Sequence, residues 1–593
     1  MLEVQRDIKA LTIVGGSPTR IETQSVRQRL DDEASLVQTA AICAAASLVS
    51  LLFTGSVFGI DNHVFHLPII HRLYDEDQFR SDAFTQSLRY YSSGVWLLLA
   101  GAEQYAGDGH LLFHLLLYVS RLLSFVGFVC CASLIGIRSI RQRIIFCLIL
   151  CFIEILDGTS LAGHGGLFVS SFGHSEVANG TILLAIYFAA RAQIAVAIVC
   201  AGLTFFINAF MGVWLVLPLV GIVASLIWRR GIATDRLLAQ LIIGGMGYVI
   251  LAAPVAYNIL SSPDFGKIVA FDYPQYLRDY FGAHFFLSSN PAYEVLLLFV
   301  LSILGSLALS RLKHGGAEFK AALAGMVALY VIGIFVPALT ENPTVLNLHL
   351  LRSGLMIHLL VAMCAAALAT KWLTSIDGRE STVLGPYFLF FLCIKYMFPA
   401  AALLVAFENS IRNGAKGLRD TRLRVVIFVA LGLVVLPWRA WQHFRLDSAA
   451  VSAVSEWETI GRWARASTAP ESIFLVSTIG DSTTAEISTA ERLHSEAFAV
   501  ASAVFEATSH RRIWVDFKRG AAVMWRPSYY AEWKPRVDAI LELRTLGDMR
   551  VFAQKNNIDY IISDCRAFQA AYIDPLFRTN VLCVGAALDV ASP

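Results

Sequence analysis

The sequence predicts a mainly α fold: a polytopic helical membrane bundle of about 11–13 spans, followed by a small C-terminal α/β soluble domain. Three observations predict it. The chain is 56% hydrophobic and 16% charged, with a mean hydropathy of +0.61, whereas soluble domains carry about 25% charged residues. Apolar runs of near-span length recur from residue 36 to residue 441. From about residue 445 the composition changes, with Arg, Asp, Glu and Trp spread through alternating strand-like and helix-like runs. The net charge of +2 gives no reason to expect nucleic acid as a partner.

Residues 1–34 are polar, and the apolar run after them lacks the cleavage site of a signal peptide. A membrane domain over 35–444 follows. Its candidate spans are 36–58, 111–137, 143–156, 178–190, 193–209, 211–228, 237–258, 293–311, 319–339, 353–373, 383–407 and 424–441. A full crossing needs about 20 apolar residues, somewhat fewer inside a large bundle. The run 383–407 carries Lys395 and Pro399 in its middle and reads as a re-entrant pair of half-helices. Eight of the ten cysteines lie in or near apolar runs, and only Cys565 and Cys583 fall in the polar tail. There is no CxxC, so neither a zinc knuckle nor a redox motif is indicated.

Lys and Arg in short loops set the orientation. Arg6, Lys9, Arg20, Arg27 and Arg29 precede the first span. "RSIRQR", "WRRGIATDR" and "RLKHGGAEFK" fall on the same side by alternation. These place the N-terminus in the cytoplasm. The loops 59–92, 157–177, 258–292 and 340–352 then face outward. With 383–407 re-entrant, the basic segment 408–424 stays inside, and the domain 445–593 lies outside, in the periplasm.

The outward loops hold the candidate chemistry. The first, "GIDNHVFHLPIIHRLYDEDQF", places Asp61 just after a span and adds His63, His66, Asp75 and Asp77. Its interleaved apolar residues fit a helix lying in the membrane interface. Such a loop is either a solvated cap or an active-site loop whose carboxylate takes a proton from an attacking hydroxyl. Only His63 and His66 would share a helix face, so a histidine metal site is not indicated. The second loop is glycine-rich and supplies His164, His174 and Glu176, and Glu154 lies at span depth just before it. The third supplies Lys267 and Arg278. The fourth, "TENPTVLNLHLLRSG", ends in His349 and Arg352, where a guanidinium could grip a lipid phosphate. The tail has strand-like "SIFLVS", "RIWVDF" and "DYIISD" but no GxGxxG, P-loop or GxSxG, and reads as an accessory domain.

Five segments carry a family likeness: "DNHVFHLPIIHRLYDEDQFRSDAF", "FGHSEVANGTILLAIYFAARAQIAVAIVCAGL", "LHLLRSG", "WETIGRWARASTAPESIFLVS" and "FEATSHRRIWVDFK". Over nearly its whole length the chain resembles the GT-C class of polytopic glycosyltransferases, close to an uncharacterised bacterial group of that class. The resemblance implies a GT-C-like bundle and a polyprenyl-phosphate-linked sugar donor. It also implies a glycan or lipid acceptor and a position in the bacterial inner membrane among membrane lipids. An acid of the first outward loop would be the catalytic base, Asp61 first and Asp75 or Asp77 second. His63, His66, Glu154, His164, His174, Glu176, Lys267, Arg278, His349 and Arg352 would bind substrate. The paired acids or DxD that some members carry at the span end are replaced by "DNH", and "DED" comes later. This leaves metal use open, with Mg2+ or Mn2+ as the cation to expect if one is used. A transporter or flippase of lipid-linked saccharides, or a non-catalytic envelope assembly protein, are the alternatives. A flippase would need a polar path reaching both membrane faces.

Overall fold

The computed structural model describes residues 33–102, 109–231, 233–312, 316–374, 383–414, 421–476 and 502–587. The N-terminal basic residues, parts of the basic segments around 313–315 and 412–421, and all but two residues of the N-terminal segment lie outside the described residues. Eight helical stretches among the described residues are long and apolar enough to cross a membrane, so this is a multi-pass membrane protein.

The bundle begins with α1 (Leu36–Thr54), which starts at a capping box. Ser35 Oγ accepts from Gln38 N–H, and Gln38 Oε1 accepts from Ser35 N–H. The helix α2 (His63–Ile70) lies in the first loop. Then come α3 (Gly109–Leu134), α4 (Ile140–Phe152), α5 (His174–Ala190), α6 (Ile194–Ile207), α7 (Val216–Arg230) and α8 (Thr234–Leu260). The loop helix α9 (Tyr273–Phe285) precedes α10 (Ala292–Arg311), α11 (Gly316–Leu339) and α12 (Gly354–Thr374). The helices α4, α5 and α6 have 13, 17 and 14 residues, too short to span alone. They are held between neighbours, which is why the sequence reads more spans than the eight long stretches. The helix α12 is the centre of the bundle, buried along almost its whole length. Its "MCAAALAT" segment offers mostly small side chains, which let neighbouring helices approach closely.

The run 383–407 is two helices, α13 (Gly385–Cys393) and α14 (Phe398–Ala406). Gly385 lies against Leu373 at the end of α12, and Glu408 pairs with Arg311 at the end of α10 (3.2 Å). The turn between them instead brings Tyr396 to Tyr293 at the start of α10. The chain therefore enters and leaves on one face. The last helical stretch, Arg422–Ser467, is long and apolar enough to cross a membrane and continues out of the bundle. It contains a π-helical turn at Leu431–Val435 and ends as α15 (Leu436–Ser467).

That helix carries the C-terminal domain, whose five-stranded sheet has the order β2-β1-β3-β5-β4. Its strands are β1 (Ile473–Val476), β2 (Arg512–Ile513), β3 (Tyr560–Asp564), β4 (Phe577–Arg578) and β5 (Leu582–Ala586). The strand β1 pairs parallel with β2 and β3, and β5 pairs antiparallel with β3 and β4. A disulfide joins Cys565 to Cys583. The strand expected over "RIWVDF" is confined to Arg512–Ile513, because the chain turns into a 3-10 helix at Lys518–Met524.

The expected interfacial helix is not on the membrane surface. All eight residues of α2 are buried, and Val64, Phe65, Leu67, Ile69 and Ile70 share one core with Val504, Phe505 and Trp533 of the domain. The greasy surface that these residues need is supplied by the C-terminal domain rather than by lipid. The contacts repeat along the loop. Trp525 Nε1 donates to the Ser87 carbonyl (3.1 Å), His510 pairs with Glu76 (2.6 Å), and Arg519, buried with Glu506 (2.6 Å), lies over the Phe84 ring. The domain is thus built into the loops.

Candidate functional site

A cavity of about 900 Å3 sits where the bundle meets the domain. Its walls come from all four loops read as outward and from the domain. Asn62, Phe65, Tyr90 and Tyr91 belong to the first loop, and His174 and Ser175 open α5. Residues from Ser262 to His284 form a third wall, Glu341 to Arg352 a fourth, and Lys518 to Pro527 the domain side. Phe205, Phe210, Val213 and Ile259, from membrane helices, give the cavity an apolar flank.

The "LNLHLLRSG" strip is pinned from three directions. Trp214 Nε1 donates to the Leu348 carbonyl (2.7 Å), Tyr273 Oη to Asn347 Oδ1 (2.6 Å), and Asn347 Nδ2 to the Met524 carbonyl (2.7 Å). His349 adopts a left-handed conformation (φ 50°) and is buried between the rings of Phe210 and Phe285. The glycines of the second loop act here. A Cβ on Gly163 would lie 2.5 Å from the Leu351 carbonyl oxygen, and Gly163 has φ 112°. Only glycine lets that loop pack against the backbone beside Arg352.

The cations and carboxylates of the walls do not pair with one another among the described residues. Arg352, Lys267 and Lys518 line the cavity, and among the described residues no carboxylate pairs with any of them. Arg352 Nε is buried with no hydrogen-bond partner. Of the acids in the walls, Asp264 accepts from Ser528 N–H and Asp272 from Gln275 N–H. Glu341 is exposed and engaged by no partner among the described residues. Burial and the nearby Arg352 charge push His284 down to about 3, against the raising effect of its bond to the Gly163 carbonyl. It is neutral at physiological pH. An unpaired guanidinium beside neutral imidazoles, with two lysines on the walls, is suited to an anion.

Of the residues singled out from sequence, His174, Lys267, His349 and Arg352 line this cavity. The others do not. Asp61 is exposed and in a left-handed conformation (φ 53°), one residue from the lining Asn62, with Ser171 Oγ donating to it (3.4 Å). Asp75 is held by Arg72 and Arg89, and Asp77 by Arg80, all at the surface. His63 accepts from Gly59 N–H (2.8 Å) and donates to the Phe172 carbonyl (3.0 Å). Burial pushes it down to about 4. His66 stacks on Trp96 (3.8 Å between centroids). Glu176 is fully buried against Arg121 (2.6 Å), which also bonds Ser50 and the Val169 carbonyl. Glu154 and Asp157 both bind Arg439, and Asp157 also binds His443. His164 approaches Glu294 (3.7 Å), and Arg278 lies over Phe286. Among the described residues no three His, Cys, Asp or Glu side chains converge as a metal site.

Sequence reasoning missed Glu341, Tyr91, Trp525 and Lys518 as site residues. Lys518 had no local signal, because it reaches the cavity only through the docking of the domain. Neither protein-family models nor curated proteins match this chain.

Proposed function

We propose that this protein is an integral membrane glycosyltransferase of GT-C type. It moves a sugar from a polyprenyl-phosphate donor to a lipid or polysaccharide acceptor of the cell envelope, at the outer face of the bacterial inner membrane. The observation that carries the reading is a set of three cations, none paired with a carboxylate among the described residues, in one cavity at the junction of bilayer and domain. The sugar–phosphate bond is already activated, so the protein must hold the departing phosphate and accept a hydroxyl proton. Arg352 holds the phosphate. The base is a carboxylate with no ion-pair partner among the described residues, either Glu341 on the wall or Asp61 beside it, which only the Ser171 hydroxyl meets. The apolar flank of Phe205, Phe210, Val213 and Ile259 suits a prenyl chain.

The described lining residues come from the domain-bearing face, and none belongs to the described connections at 135–139 or 191–193. This favours transfer over transport, which would need a path to both faces. The Cys565–Cys583 disulfide suits an oxidising compartment for the domain, in agreement with an outward position. The test is mass spectrometry of envelope glycans and lipids from a strain lacking the protein, complemented with wild type, Arg352→Gln, Asp61→Asn or Glu341→Gln. The expected result is a missing glycan with its accumulated lipid-linked precursor, restored by wild type and not by Arg352→Gln. Loss of the base lowers rate by about 10²–10⁴-fold, so only one of the two carboxylate variants fails to restore it. An unchanged glycan and lipid profile would refute the transferase reading.

A further inference from the structure

We infer that His174 and His284 are fixed in opposite neutral tautomers, so that one cavity presents an Nε2–H donor from His174 and an Nε2 lone pair from His284. The first suits an anionic oxygen, the second a hydroxyl. The inference rests on the partner of each Nδ1. Trp96 Nε1 lies 3.0 Å from His174 Nδ1, and an indole nitrogen can only donate. His174 Nδ1 is therefore the acceptor, and the proton of the neutral ring sits on Nε2. His284 Nδ1 lies 3.0 Å from the Gly163 carbonyl, which can only accept. His284 therefore carries its proton on Nδ1 and leaves Nε2 bare.

Both rings line the cavity, and among the described residues neither Nε2 has a hydrogen-bond partner or is sealed from solvent. Both orienting groups are rigid. Trp96 is 1% exposed and stacked on His66, and it meets Phe172 edge-on. Gly163 is held by Asn290, whose Oδ1 accepts from its N–H (3.0 Å), and by its close approach to Leu351. Burial, and after it the Arg352 charge, lowers the pKa of both imidazoles, which keeps a second proton off each ring. Fixing one ring nitrogen through an outer partner decides what the other offers. The ligand roles build on the transferase reading. Arg352 and His174 Nε2–H together take the phosphate oxygens of the donor, and His284 Nε2 accepts from a hydroxyl of the acceptor other than the attacking one, whose proton goes to the carboxylate base. Trp96 is a positioning residue that acts through His174.

The test uses the full chain in lipid nanodiscs with ¹⁵N-imidazole histidine. Two-bond ¹H–¹⁵N correlations read the tautomer of each ring, and signals are assigned by their loss in His174→Asn and His284→Asn. The expected spectrum at neutral pH shows His174 protonated on Nε2 and His284 on Nδ1. Farnesyl phosphate should move the His174 Nε2 resonance, and His174→Phe should weaken its binding roughly tenfold. Trp96→Phe keeps the aromatic ring but removes the donor, and should release His174 into a tautomer mixture. Protonation of His174 on Nδ1, of His284 on Nε2, or of either ring on both nitrogens would overturn the inference. The stated tautomers without any response to farnesyl phosphate would sustain the donor–acceptor pair and overturn the lipid-phosphate reading.

Discussion

Replacing Arg352 with glutamine should have opposite effects on ligand binding and on the stability of the empty protein. A charge-assisted hydrogen bond contributes about 1.5–3 kcal/mol, and about 1.4 kcal/mol is a factor of ten. Loss of the guanidinium should therefore weaken a lipid phosphate by roughly 10- to 100-fold. Arg352→Lys keeps the charge but loses the planar fork, and should fall between the two. In the empty protein the same guanidinium has no carboxylate partner among the described residues, and its Nε is buried without an acceptor. Such a group is a cost to folding rather than a contribution. Arg352→Gln should leave the thermal midpoint unchanged or raise it, as expected where a site is built for a ligand rather than for stability. Farnesyl phosphate binding and thermal unfolding, both measured in nanodiscs, supply the two readings. Lys267 and Lys518 add a salt-sensitive component, so the wild-type affinity should fall as ionic strength rises. A variant that unfolds earlier yet binds as tightly as wild type would refute the reasoning and return Arg352 to a structural role.

Three further outcomes follow from groups that the structure assigns to the scaffold. Glu176→Gln leaves Arg121 buried without its counter-charge and should cost about 3–5 kcal/mol of stability; a fully stable variant that has lost lipid-phosphate binding would place Glu176 in the site instead. His63 is buried neutral with its pKa lowered from 6.5 to about 4. The unfolded chain then binds the proton first, so stability should be fully present above about pH 6.5 and fall by about 3 kcal/mol on acidification toward pH 4. Thermal midpoints over that range, with His63→Gln showing a shallower fall, check it. Finally, Cys565 and Cys583 should resist alkylation in the isolated protein until reduced, and Cys565→Ala with Cys583→Ala should lower stability by about 2–4 kcal/mol; two free thiols in freshly isolated membranes would contradict an outward domain.

The bundle was legible because hydropathy is a local property: each apolar run declares itself without reference to its neighbours. The break in 383–407 was legible for the same reason, since Lys395 and Pro399 interrupt the run. In the tail, "SIFLVS" and "DYIISD" showed as strands, whereas "LCVGA" did not, because it carries a glycine, Gly585, whose place in the strand is set by its packing against Phe568. Partners were not legible. Nothing near Glu176 in sequence announces Arg121, 55 residues away, and nothing in "DFKRG" announces that Lys518 faces a membrane cavity. The first loop shows the consequence most clearly. It holds the densest titratable chemistry in the chain, and most of that chemistry is already satisfied within the fold: His63 by backbone, Glu76 by His510, Asp75 by two arginines and Asp77 by one. That density belongs to a surface that docks a domain. The cavity wall of "LNLHLLRSG" has far fewer charges, but its arginine has no carboxylate partner among the described residues. A charge that the fold pairs is explained by folding, and a half-buried one that it leaves without counter-charge requires a ligand to complete it. By that criterion the site lies at Arg352, and Asp61 belongs to it only if a substrate reaches past Asn62.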